Sequence, residues 1–305
     1  MATFPNRGVH RFALFVTAST VLLLVAGALV TSNDAGLSVP DWPLSYGSIW
    51  PPMIGGIFYE HGHRMVAAFV GILTICLVIG LYRRESRRWV RTLGLAAIGL
   101  ILAQGLLGGL TVLFYLPRPI STAHATLAQL FFVTIVSLAV FTSDWWQREQ
   151  PVLSDSGSPG IRALGIATSS VIVLQLIFGA AYRHHLTGVG PHIFGAALVT
   201  FMVVWFGVAV KRRFAQASVL RAWVKILHAF FGSQILLGVA ALWAVIKNQA
   251  VPQPLLAMVA LTVAHVAVGA LTLAASVVLT LCCWRLVPGR RAHRVSSRAE
   301  ERSAV

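Results

Sequence analysis

Four histidines carry the first sign of chemistry. His63, His124, His192 and His265 each stand at, or about two turns into, the start of an apolar stretch, at similar depth. An imidazole inside an apolar helix needs a partner, because a polar group in hydrocarbon is costly when left alone. One such histidine reads as a bond between helices. Four in matched positions read instead as two pairs of neutral imidazoles, each pair able to hold an iron from both sides. The residues four positions later are Ala67, Ala128, Ala196 and Gly269, one turn along on the same face. Side chains that small leave room for a flat macrocycle against the helix. A heme suits such a place: its iron takes axial imidazoles, its ring is apolar, and its propionates want a polar edge.

Glu60 is the one carboxylate at the lip of an apolar segment that shares a face with a candidate ligand. It lies three residues before His63, with Arg64 four residues after it. Two readings stand side by side: an interfacial ion pair with Arg64, or an acid that handles protons or developing positive charge beside a ring held by His63. Val189 occupies the corresponding place before His192, so only one pair carries an acid. His228 has Gly232 four residues on but an apolar counterpart near Ile98, and reads as structural or as a heme-edge contact. His184 and His185 fall in a connecting loop, as solvated surface or as a propionate contact. His10, His61 and His293 receive no functional role. Cys76, Cys282 and Cys283 all lie inside apolar segments, which sets aside a disulfide framework and a thiolate zinc site.

The elements that must position these side chains are membrane helices. Of 305 residues 57% are apolar and 11% charged, well outside the composition of soluble domains. Apolar stretches at about 12–31, 63–82, 92–115, 121–142, 162–182, 191–210, 221–246 and 256–284 are each long enough to cross a bilayer. The net charge of +15 is distributed by topology, with no basic run interleaved with aromatics, which excludes nucleic acid as a partner. Twenty Lys and Arg fall on one side, including Arg7, Arg11, the 83–91 and 211–225 groups and the C-terminal tail; Arg64, Arg118, Arg183 and Lys247 fall on the other. Both termini are therefore expected in the cytoplasm and the long first loop outside, in the plasma (inner) membrane. The N-terminal stretch has a signal-peptide outline with a small-residue Ala26-Gly27-Ala28, but its length and the charge rule favour an uncleaved first helix.

A repeat organises the chain. Gln104-Gly105-Leu106-Leu107-Gly108 recurs as Gln234-Ile235-Leu236-Leu237-Gly238, with a third copy at Gln175-Leu176-Ile177-Phe178-Gly179. The expected fold is all-α and integral to the membrane: eight transmembrane helices as two tandem four-helix bundles related by a pseudo-two-fold along the membrane normal. The halves are 1–146 and 161–287, joined by a cytoplasmic linker at 147–160 and followed by a basic cytoplasmic tail at 288–305.

With these features in hand, the chain resembles the heme A synthase family. The resemblance rests on Gly36-Leu37-Ser38-Val39-Pro40-Asp41-Trp42-Pro43-Leu44 in the first outer loop, Glu60-His61-Gly62-His63-Arg64, and His124, His192 and His265 in later helices. It covers nearly the whole chain. It implies a membrane oxidoreductase that converts heme O to heme A, oxidising one ring methyl to formyl by successive hydroxylations for cytochrome oxidase assembly. It further implies that His63 and His124 hold the substrate heme O in the N-terminal half, with Glu60 as the catalytic residue beside it. His192 and His265 would hold a permanent heme b in the C-terminal half. Candidate partners are membrane lipid, a heme O synthase, an electron donor and a second copy of the chain. Some members carry cysteine pairs in the outer loops; this chain has none.

The runner-up is a di-heme b-type electron-transfer cytochrome, which would use the same four histidines without modifying either heme. An acid beside one pair only favours the synthase. A heme O synthase would need clustered aspartates for magnesium and diphosphate, and a transporter would need broken, charged midplane helices; the chain offers neither.

Overall fold

The structure, a computed structural model, describes residues 7–248, 251 and 253–288. The described residues form α1 (Arg7–Ser32), α2 (Gly55–Arg84), α3 (Arg88–Leu113), α4 (Arg118–Thr142), the single-turn α5 (Asp144–Gln147), α6 (Ile161–Arg183), α7 (Gly190–Arg213), α8 (Ser218–Asn248) and α9 (Leu256–Leu286). All except α5 are apolar and 23 to 31 residues long. At about 1.5 Å per residue, even the shortest crosses a hydrocarbon core of roughly 30 Å. The basic tail and His293 lie outside the described residues, apart from Pro288.

The helix ends follow familiar chemistry. Pro119 and Pro191 sit in the first turns of α4 and α7, where a missing N–H costs nothing. Arg83 and Arg84, and Lys211 to Arg213, close α2 and α7 against the negative end of the helix dipole. One boundary differs substantially from the apolar pattern. Helix α2 begins at Gly55, not near residue 63, so Glu60 lies in its second turn and not at its lip. Hydropathy marks where lipid begins, whereas the backbone ladder continues as long as something covers the polar turns; here the 33–54 loop does so.

Helices α1 to α4 close a ring in which each touches the next and α4 returns to α1, and α6 to α9 do the same. The rings meet where α9 packs on α1 and α4, and α4 on α6. Helix α4 serves both sides: Phe131, Ile135 and Leu138 fill the first core, while Phe132 and Val136, a step around the helix, belong to the second. Helix α9 presents Ala270, Ala274, Ala275 and Ser276, small enough for close approach. Ser169 Oγ of α6 meets Ser276 Oγ at 2.9 Å and Thr280 Oγ1 at 3.3 Å. Large apolar side chains such as Phe194, Leu236 and Leu106 point outward, as a bilayer-facing surface requires.

Residues 148–160 cross the end of the molecule opposite the 33–54 loop and are strapped to the second half. Leu153 N–H donates to the Leu286 carbonyl at 2.8 Å, and Arg285 reaches the carbonyls of Trp146 and Arg148 at 3.0 and 2.6 Å. Asp155 accepts from the N–H groups of Gly157 and Ile161 at 3.0 and 2.5 Å and pairs with Arg213 at 3.4 Å. At the start of α6, a methyl on Gly165 would stand 2.8 Å from Thr280 Oγ1 and 3.0 Å from the buried ring of Phe206. Gly165→Ala is therefore expected to destabilise the second ring by about 1–3 kcal/mol through overpacking, read as a lowered Tm in detergent.

Candidate functional site

The four histidines share one construction. Each ring lies against a glycine on the preceding long helix: a methyl on Gly27, Gly108, Gly179 or Gly238 would stand 3.1, 3.1, 2.9 or 3.0 Å from Cε1 of His63, His124, His192 or His265. A side chain larger than hydrogen would push the imidazole away, so the glycine is a seat. The Ala26-Gly27-Ala28 triplet with its signal-peptide look is thereby explained, since Gly27 is the seat of His63.

Three of the seats carry a second feature. One turn before Gly108, Gly179 and Gly238 stand Gln104, Gln175 and Gln234. Their amide nitrogens lie 3.5 Å from His124 Nε2, 3.1 Å from His192 Nδ1 and 3.3 Å from His265 Nε2. Gln104 and Gln175 also donate to the backbone carbonyls of His124 and His192 at 2.9 and 2.8 Å. The repeated Gln-x-x-x-Gly pattern therefore marks the contact surface of a histidine. Before Gly27 the corresponding residue is Leu23, buried in the first core with Val66 and Ala67.

The rings come together in pairs. His192 of α7 and His265 of α9 have centroids 6.1 Å apart and planes at 82°. Two imidazoles on opposite sides of one metal, with bonds of about 2 Å, place their centres roughly 6 Å apart. His63 of α2 and His124 of α4 are near enough to interact electrostatically. Nδ1 of His63, His124 and His265 is buried without a hydrogen-bond partner, as is Oε1 of all three glutamines. Such orphaned polar atoms fit a group that completes the site. Among the described residues no three His, Cys, Asp or Glu side chains converge on one point. Imidazoles offered two at a time suit a metal that brings its other ligands with it, as heme iron does.

Over the first pair, and over it alone among the described residues, the 33–54 loop folds down onto α2 and α3. Glu60, 4% exposed, accepts the Val39 N–H at 2.9 Å with Oε2 and pairs through Oε1 with Arg64 at 2.6 Å. Arg64 then donates to the carbonyls of Asp41 and Leu44 at 2.8 and 2.7 Å. The ion pair with Arg64 is thus present, and it is also the clasp of the loop. His61 joins it, buried, with Nδ1 2.8 Å from Ser45 Oγ. Trp42 lies against Gly109 of α3, where a methyl would meet its ring at 2.7 Å. The loop's tightest turn puts Tyr46 and Gly47 in the left-handed region, φ 53° and 68°. Asp41 holds it, accepting from Tyr46 N–H at 2.7 Å and Gly47 N–H at 2.8 Å. These bonds, that from Gly47 foremost, keep the Asp41 carboxyl below its ordinary range.

The halves also meet beside the sites. Arg183, closing α6, donates to Ser32 Oγ of α1 at 2.8 Å, and Ser32 Oγ lies 2.9 Å from Thr262 Oγ1 of α9. His184 follows, half-buried; burial first, then Arg183, His124 and His185, lowers its pKa to about 4. His185 is exposed. His228 rests against Gly207 and has Nδ1 2.7 Å from the Val224 carbonyl, a bond within its own helix. His10 finds the Ala139 carbonyl at 3.0 Å. A cavity of about 360 Å³ lies between α6 and α7, lined by Val171, Leu174, Gln175, Phe178, Phe194 and Leu198.

With that geometry described, comparison with known proteins is informative. The family model described as cytochrome oxidase assembly protein matches residues 54–284, three quarters of the chain and all four seated histidines. The chain belongs to that family. Similar proteins include a heme A synthase of Halalkalibacterium halodurans, 33% identical over 44% of each chain, and one of Bacillus licheniformis, 28% identical over 59% of this chain and 60% of the other. A heme A synthase of Bacillus pumilus is 26% identical over 70% of this chain and 71% of its own. The chain spans about half the length of the first of these curated relatives that it matches. Family membership and the eight membrane-capable helices among the described residues make it a multi-pass membrane protein.

Sequence reasoning singled out the histidines, Glu60 and the repeat, but missed the seats, the role of Arg64 as loop hub and the Asp41 turn. The glycine spacing held the signal for the seats; nothing local announced the other two. Because the Asp41 carboxyl is depressed, its hold on the turn is complete above the ordinary carboxylate range and is lost as pH falls through the lowered value. Asp41→Ala is expected to speed amide exchange at Tyr46 and Gly47 at neutral pH, measured by hydrogen exchange with mass detection.

Proposed function

We propose that this protein is a heme A synthase, oxidising one ring methyl of heme O to formyl by successive hydroxylations to supply cytochrome oxidase. The observation that carries the reading is an asymmetry between two equivalent sites. Both halves seat two imidazoles on glycines, but among the described residues only the first has an acid, its arginine partner and a folded loop over it, in Glu60, Arg64 and residues 33–54. A di-heme electron carrier gives no reason for that difference.

In this reading 1–146 is the substrate half, 161–287 the heme b half, 147–160 a cytoplasmic linker and 288–305 a cytoplasmic tail, with the 33–54 loop outside the plasma membrane. His63 and His124 hold heme O; His192 and His265 hold a resident heme b. The hemes supply the redox chemistry when bound, and the protein supplies ligation, orientation and an apolar enclosure. Glu60 does two things at once. It fixes the loop through Val39 and Arg64, and it keeps one carboxylate within a helical turn of His63, where it can accept a proton or offset positive charge. A heme O synthase as the source of substrate, and an electron donor where dioxygen is the oxidant, are the partners proposed with this chemistry.

The decisive experiment expresses the chain with a heme O synthase in a host lacking heme A, then extracts and identifies the hemes by chromatography and mass. Heme A or its hydroxylated precursor is expected; heme B alone, with heme O unconsumed, would make the protein an electron-transfer cytochrome. In the same system Glu60→Ala is expected to retain heme b and abolish heme A. His192→Ala and His265→Ala are each expected to strip the purified protein of heme b, and full b-type absorbance in both would defeat the ligand assignment.

A further inference from the structure

Three of the four seated imidazoles are braced and one is not. The amide groups of Gln104, Gln175 and Gln234 lie 3.1 to 3.5 Å from ring nitrogens of His124, His192 and His265. Each glutamine has a buried oxygen without a partner, and two of the three histidines have a buried, unpartnered Nδ1. An imidazole bound to metal through one ring nitrogen carries its proton on the other and needs an acceptor there, and such outer partners fix the ring and strengthen the ligand. A side-chain amide is both donor and acceptor, so it can serve that proton while filling the space beside the ring. The fit is reciprocal: Gln175 is lodged against Gly195, three residues after His192, and a methyl on Gly269, four residues after His265, would stand 3.0 Å from Gln234 Nε2.

At the fourth seat the pattern breaks. Leu23 stands where the others have glutamine, and among the described residues His63 has no hydrogen bond to either ring nitrogen. The helix, the glycine and the spacing are otherwise the same. A substrate must arrive and leave, whereas a resident cofactor must stay. The unbraced histidine lies in the half assigned to substrate, and both histidines of the other half are braced.

We infer that Gln104, Gln175 and Gln234 are positioning residues for three axial imidazoles, and that Leu23 leaves His63 as the exchangeable ligand, the one that lets go when heme is loaded or released. The inference rests on the four-histidine reading above.

Carbon monoxide tests it, because on ferrous heme it takes the place of an imidazole that has dissociated. The full chain carrying its hemes is reduced with dithionite and mixed with the gas. The wild-type protein is expected to react in a fast phase from the first half and a slow phase from the second. Leu23→Gln, which adds the missing brace, is expected to slow the fast phase about tenfold and leave the slow one alone; Gln234→Leu is expected to speed the slow phase by about the same factor. Added bracing that slows a reaction is a result that damage to the fold does not produce. An unchanged fast phase in Leu23→Gln overturns the inference. If that variant does not accumulate, an unchanged slow phase in Gln234→Leu does so instead. The low-spin bis-imidazole spectrum of the oxidised protein, recorded on the same samples, separates two kinds of failure. With it present and the rates indifferent, only the bracing is wrong; with it missing from the wild type, the four-histidine assignment falls and the inference with it.

Discussion

The close contact of an imidazole with a bare helix backbone organises this molecule. A histidine between membrane helices must be neutral, sheltered and aimed, and no packing of ordinary side chains gives all three without crowding the ring. Glycine at the facing position lets the neighbouring helix approach until it touches Cε1, and that repeats at Gly27, Gly108, Gly179 and Gly238. The pairing of helices follows: α1 with α2, α3 with α4, α6 with α7 and α8 with α9. In membranes small residues set helix separation because apolar burial gives no preference for one neighbour over another. The same small residues therefore fix both the fold and the orientation of the candidate ligands.

Much of this was legible in the sequence, and what was not has definite physical causes. The eight spans and the four histidines stood out because hydropathy and residue type are local properties. The Gln-x-x-x-Gly repeat was equally visible, yet its meaning depends on which helix faces which, and this is a tertiary fact. The start of α2 was misplaced by about two turns because apolar content and helical hydrogen bonding end at different residues. Glu60 was weighed between an ion pair and an acid; the structure makes the ion pair real and adds a third partner, the Val39 N–H, that no spacing rule joins to it. Asp41 looked like one letter of a motif and is the acceptor that lets a tyrosine adopt a left-handed backbone.

The interface between the two rings is polar at its two ends and apolar between them. Arg183, Ser32 and Thr262 link α6, α1 and α9 in one hydrogen-bonded line beside the candidate sites, while α4 and α9 pack through phenylalanine, valine and alanine below. His184, held neutral by burial, continues that line toward His124. The site of one half is thus bordered by a residue from the other, and the second half contributes to the surroundings of the first as well as to its own pair.

The strap across the opposite end has a consequence for how the protein is made. The hydrogen bonds that reach residues 146–160 from more than five positions away all come from residues translated later: Ile161 at the start of α6, Arg213 at the end of α7, and Arg285 and Leu286 at the end of α9. The first four long helices can close their ring as soon as α4 leaves the ribosome. The strap takes its final shape only when the last helix has been inserted, so the order of synthesis separates completion of the first site from the locking of the two halves.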